Sequence, residues 1–91
     1  MSGRAWQAWL DESERLLDLI VAHGVGGLGG ETRRRLRDWV ALAELLGMER
    51  FATLGRCLLD EALPLEQRAS AALDWLCWQT ALMALERSEE R

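Results

Sequence analysis

The segment "LDWLCWQTALMAL", Leu73–Leu85, decides how the rest of the chain must fold. It holds two of the five tryptophans, three residues apart, and one charge, Asp74. Set out at about 100° per residue, the helix that contains it shows two apolar stripes rather than one. Leu65, Ala69, Ala72, Leu73, Leu76, Thr80 and Met83 gather on one arc, the width of an ordinary core face. Trp75, Trp78, Leu82 and Leu85 gather on the far side, spaced three, four and three apart. Arg68, Gln79 and Glu86 border the second stripe on one edge, and Gln67 and Asp74 on the other.

A surface helix of a small protein needs a single stripe. The first stripe is expected to face the core, and the second then needs a cover. Burying it is worth several kcal/mol at about 25 cal/mol per Å². Leaving it bare makes an apolar patch of roughly several hundred Å², more than soluble monomers usually carry. The chain's own first helix or glycine loop is one cover; a partner is the other. Four short helices seldom sandwich one of their number completely, and tryptophan is enriched at binding hot spots. The expectation is therefore that Trp75, Trp78, Leu82 and Leu85 dock onto another protein or a second copy, with Arg33, Arg34 and Arg37 as a charged rim.

Working outward, apolar spacing predicts three further helices and no strand. The first runs from about residue 4 to 23, with Ser2 as N-cap and Trp6, Trp9, Leu10, Leu17 and Ile20 inward; Gly24 stops it. "GVGGLGG", Gly24–Gly30, is the one long break, too rich in glycine to stay helical. The second helix covers about 32–46, capped by Thr32, with Leu36, Trp39, Val40, Ala43 and Leu46 inward. Gly47 closes it as a left-handed residue, and Met48 takes the hydrophobic position that follows in a Schellman motif. The third helix covers about 49–62, with Phe51, Leu54, Leu58 and Leu59 inward. Its short connection makes it an antiparallel neighbour of the second helix or sets it at a steep corner. Pro64 separates it from the fourth, about 65–87. The expected fold is all-α: one compact four-helix domain with a glycine-rich loop between its first two helices.

Ninety-one residues make one domain, and 49% apolar content is ample for a core. The abundance of Arg, Ala, Leu, Glu and Gly, without lysine or tyrosine, is the bias of a GC-rich coding sequence and predicts a bacterial source. A net charge of −4 does not favour nucleic acid as a partner. No apolar run approaches the length of a membrane span, and acids interrupt the N-terminal stretch before a signal-peptide core can form. Cys57 and Cys77 sit in apolar helical patterns and are expected as buried free thiols, which places the chain in the reducing cytoplasm.

No motif announces catalysis. The glycine loop follows a helix and is succeeded by Glu31, unlike phosphate-cradling loops, which follow a strand. His23, Cys57 and Cys77 make no recognised zinc spacing, and no nucleophile–base–orienter set is visible. No enzyme, metal or cofactor is expected. "LAELLGMERFATLGRCL", Leu42–Leu58, looks like a helix-turn-helix at Ala43, Gly47 and Met48, with Arg50 and Arg56 placed to meet phosphates. Its pattern breaks where Thr53 and Arg56 fall on buried positions of the recognition helix. DNA binding through residues 42–58 is thus the second reading, behind protein binding.

The order "HGVGGLGGETRRRLRDWVALAELLGMERFATLGRCL", followed by "AALDWL", resembles the helical regions that accompany SWIM zinc fingers in some bacterial proteins. The matching positions are Gly27, Leu28, Leu36, Leu46, Gly47, Met48, Arg50, Phe51, Ala52, Leu73 and Trp75, within residues 23–76. The finger's own zinc-binding Cys and His residues have no counterparts here. The resemblance implies an accessory helical module and carries no zinc function.

Overall fold

The computed structural model describes residues 3–89. They form α1 (Gly3–His23), α2 (Gly30–Leu45), α3 (Glu49–Leu59) and α4 (Leu65–Glu89), with no strand among the described residues. Ser2, the expected N-cap of α1, lies outside them.

Local sequence sets each boundary. Gly24 ends α1 at φ +79°, its N–H reaching the carbonyl of Ile20 at 2.7 Å. Gly47 ends α2 at φ +78°. Its N–H bonds the Glu44 carbonyl and that of Met48 the Ala43 carbonyl, the paired bonds of a Schellman motif. The left-handed backbone at both sites favours glycine over any side-chain-bearing residue. α2 starts two residues before the expected Thr32 cap, because Gly30 and Glu31 already wind into the first turn and Arg33 N–H bonds the Gly29 carbonyl. α3 stops at Leu59, short of the expected 62. There the Asp60 carboxylate accepts the N–H of Ala62 and turns the chain. Pro64 precedes α4 and its carbonyl accepts from Gln67 and Arg68, so its missing N–H costs nothing.

Contacts run in a ring: α1 on α2, α2 on α3, α3 on α4, and α4 back on α1. Side-chain pairs give the directions. Arg35 of α2 grips Glu12 of α1 with two 2.8 Å bonds, while Trp39, one turn on, meets Trp9. Arg33 reaches the Leu59 carbonyl at 2.9 Å, and Glu44 near the other end of α2 pairs with Arg56. Trp6 donates to Glu86, and Ser13 to Gln79. Successive helices are therefore antiparallel, in a bundle of 42 × 21 × 20 Å. Of the two arrangements open for α2 and α3, the hairpin forms.

The centre of the bundle is aromatic. Trp6, Trp9, Trp39 and Trp75 stack in sequence, with centroid spacings of 5.5, 5.1 and 4.3 Å and interplanar angles of 26°, 8° and 18°. Phe51 of α3 meets Trp9 and Trp39 edge-on at 5.3 and 6.2 Å. Such pairs add roughly 0.5–1.5 kcal/mol each beyond simple burial. Leu16, Ile20, Leu36, Ala43 and Leu58 fill the layers around the stack.

Gly55 lets α2 and α3 approach. A Cβ there would fall well inside contact distance of Val40 Cγ2 and 3.2 Å from the Trp39 ring. Gly55→Ala is expected to destabilise the bundle by about 1–2 kcal/mol, the overpacking cost less the gain in helix propensity. In a Val40→Ala background that cost should fall, leaving only the Trp39 contact. Urea unfolding of the four proteins in the cycle measures both.

Candidate functional site

The core turns α4 in a way that periodicity alone misassigns. The buried line of the helix is Ala71, Trp75 and Gln79, which follows the border between the two stripes. Trp75, expected as a partner anchor, is fully buried. It stacks on Trp39, and its indole N–H donates to Ser13 Oγ at 2.9 Å. Gln79, expected as a border residue, is 4% exposed, and its Oε1 accepts the Ser13 hydroxyl. Leu73 and Leu76, expected in the core, are exposed.

The reason is geometric. With α1 on one flank and α3 on the other, a helix with two stripes buries most by facing its seam inward and leaning each stripe on one neighbour. Trp75 sits on the seam because the stack offers it a ring face. Gln79, one turn on, is carried inside and depends on Ser13. Gln79 Nε2 and Trp9 Nε1 are buried without a hydrogen-bond partner among the described residues. Each orphaned donor costs about 1–3 kcal/mol, so the stacking must outweigh them.

What remains of the second stripe makes a site. Trp78, Leu82 and Leu85 line a groove of about 310 Å³ with Met48, Arg50 and Phe51 at the start of α3. Trp78 is 44% exposed and Leu85 62%, while Leu82 is half-buried. The Schellman turn at Gly47 positions the opposite wall, because it brings Met48 and the first turn of α3 beside α4. Over the Trp78 ring, at 4.6 Å from its centroid, lies the Arg50 guanidinium. Arg50 makes no ion pair among the described residues, and Glu49 beside it lines the same wall at 4.0 Å from Arg56, so the groove is largely apolar with two charged residues at the start of α3 on its rim.

The arginines expected to rim this stripe lie elsewhere. Arg33, Arg34 and Arg37 belong to the first half of α2, level with the start of α4, and none lines the groove. Arg33 ties α2 to the end of α3 through Leu59, with Glu61 at 3.7 Å. Arg34 is held by Glu31 at 2.6 Å and Asp38 at 3.4 Å on its own helix. Its hydrogen bond, and after that its charge, lowers the Glu31 carboxyl below its ordinary pKa. The Arg35 guanidinium is raised above its ordinary range, first by its hydrogen bond to Glu12. Arg37 is exposed and unpaired among the described residues. A helical wheel orders residues around one helix; it does not say which end of the bundle each one occupies.

The segment that resembles a helix-turn-helix folds as the α2–α3 hairpin. α3 lies alongside α2, with Gly55 against Val40 and Trp39. Arg56 is engaged by Glu44 and Glu49, and Arg50 by Trp78. The cysteines also differ from expectation: Cys57 is half-buried and Cys77 exposed. No group of three or more His, Cys, Asp and Glu among the described residues is placed to hold a metal ion. No helix among them is long and apolar enough to cross a membrane.

In comparison with known proteins the chain matches no family model, no curated protein and no solved structure.

The two tryptophans of the opening segment should behave oppositely. Trp75→Ala is expected to cost about 3–5 kcal/mol, enough to unfold much of a domain this size. Trp78→Ala should cost less than about 1.5 kcal/mol, since nearly half of its surface already meets water. Thermal melts followed by circular dichroism separate them.

Proposed function

We propose that this chain is a non-catalytic protein-interaction module that holds an amphipathic helix of a partner protein in the Trp78–Leu82–Leu85 groove. The observation that carries this reading is the guanidinium of Arg50, in no ion pair among the described residues, over an exposed indole at the edge of a largely apolar trough whose other charged lining residue is Glu49. An apolar trough takes the apolar face of a helix at i, i+3, i+4 and i+7. A cation without a carboxylate partner favours an acidic residue beside that face. Trp78 is the anchor, because a half-exposed ring buries large area on contact and loses little conformational freedom. The resemblance to accessory helical regions beside SWIM fingers points the same way. The reading assigns the chain no substrate and no cofactor.

Selection from a displayed library of helical peptides tests it. The expected winners carry apolar residues at helical spacing with Asp or Glu alongside. Trp78→Ala should weaken them by roughly 30-fold or more, as hot-spot truncations do. Arg50→Ala should weaken acidic peptides about tenfold and leave their Gln counterparts unaffected. Enrichment that is equal on wild type and on the Trp78→Ala, Leu82→Asp double variant would sink the proposal.

A further inference from the structure

The opposite flank of α4, away from α3, carries a second apolar surface. Leu65, Leu73 and Leu76 are 54%, 63% and 45% exposed, and Val21 of α1 beside them is 73% exposed. Leu73, Leu76 and Val21 line a hollow of about 340 Å³ between α1 and α4. It shares no residue with the Trp78 groove.

The charges at the two ends of this flank say what covers it. Glu66 lies in the first turn of α4 and Arg87 in the last. Both are exposed, and neither makes an ion pair among the described residues. Positions 66 and 87 are equally far from the point midway between Leu76 and Cys77. So are positions 73 and 80. All six residues fall within about 100° of arc on the outer side of the helix. Thr80 Oγ1 donates to the Leu76 carbonyl at 2.8 Å, so its hydroxyl is satisfied within α4 and brings no unpaired polar group to a contact. Along α4 the opposite charges sit symmetrically about an apolar centre, a pattern complementary to itself under a two-fold rotation, while Glu14 and Asp18 of α1 border the face beside Leu76, Thr80 and Arg87.

We propose that this flank is the interface of an antiparallel homodimer, with the two-fold axis passing beside Leu76 and Cys77. The second copy's α4 then runs opposite to the first. Glu66 of each chain meets Arg87 of the other at both ends, Leu73 faces Thr80, and the exposed Cys77 thiols lie next to each other at the axis. Antiparallel packing also sets each helix dipole against its opposite. The occupant is a second copy because the symmetric charge pattern along α4 has its best complement in itself, whereas the Trp78 groove carries its charged residues, Glu49 and Arg50, on one wall only.

Light scattering and cross-linking test the dimer. The protein should have twice the 10.3 kDa chain mass in the high-micromolar range. In a Cys57→Ser background, diamide, which takes up the two electrons and two protons released as the thiols join, should link Cys77 to Cys77. Leu76→Glu should abolish the dimer while helical circular dichroism is retained. Glu66→Arg and Arg87→Glu should each weaken association about tenfold, and the double exchange should restore it. If the two charges serve only the helix dipole, the double exchange is worse than either single change. Three results would overturn the proposal: a monomer at every concentration with no Cys77 cross-link, a dimer indifferent to the charge exchange, or a dimer abolished by Trp78→Ala.

Discussion

Four stacked indoles set the geometry on which the rest of this bundle depends. α1 contributes two rings, α2 and α4 one each, and α3 closes the set with Phe51 edge-on. Flat rings at stacking distance leave each helix little freedom to rotate about its axis. Once Trp75 lies on Trp39, the side of α4 that faces inward is fixed, and so are the two sides that flank it. The grooves beside α4 follow from this. They are where a helix with too much apolar surface meets neighbours too narrow to cover it.

The same constraint explains the polar pair in the core. Gln79 is one turn from Trp75, so the rotation that buries the ring buries the amide. Ser13 answers both, accepting from Trp75 and donating to Gln79. Ser13, a buried hydroxyl among the apolar residues of α1, is the partner that makes the burial of α4 possible.

What could be read from the chain divides by range. The helix ends were legible at Gly24, Gly47 and Pro64, where the signal lies within a few residues. So were the core positions of α2, whose single stripe leaves no choice of side. The start of α2 was not: Thr32 is a good cap by type, yet Gly30 and Glu31 were free to wind into the helix two residues earlier. The rotation of α4 was not either, because two stripes of similar size give the wheel no preference. A clue existed in Trp9 and Trp39, both on expected core faces; large rings there implied a third to meet them. Of the expected site, Trp78, Leu82 and Leu85 do come together. Trp75 is withdrawn into the core, and Arg33, Arg34 and Arg37 are at the other end of the bundle. Arg50, which does reach the groove, depends on α3 lying beside α4, and no local pattern reports that packing.

The fifth indole stands apart. Trp78 joins none of the stacked ring pairs and carries a guanidinium on its face instead. The chain has no tyrosine. Its near-ultraviolet spectrum therefore comes almost wholly from two unlike populations, a coupled column of rings inside and one wet ring outside. The column reports whether the bundle is intact, and the outer ring reports what touches the groove. Folding and binding can thus be followed separately, without a label, by light the protein already absorbs.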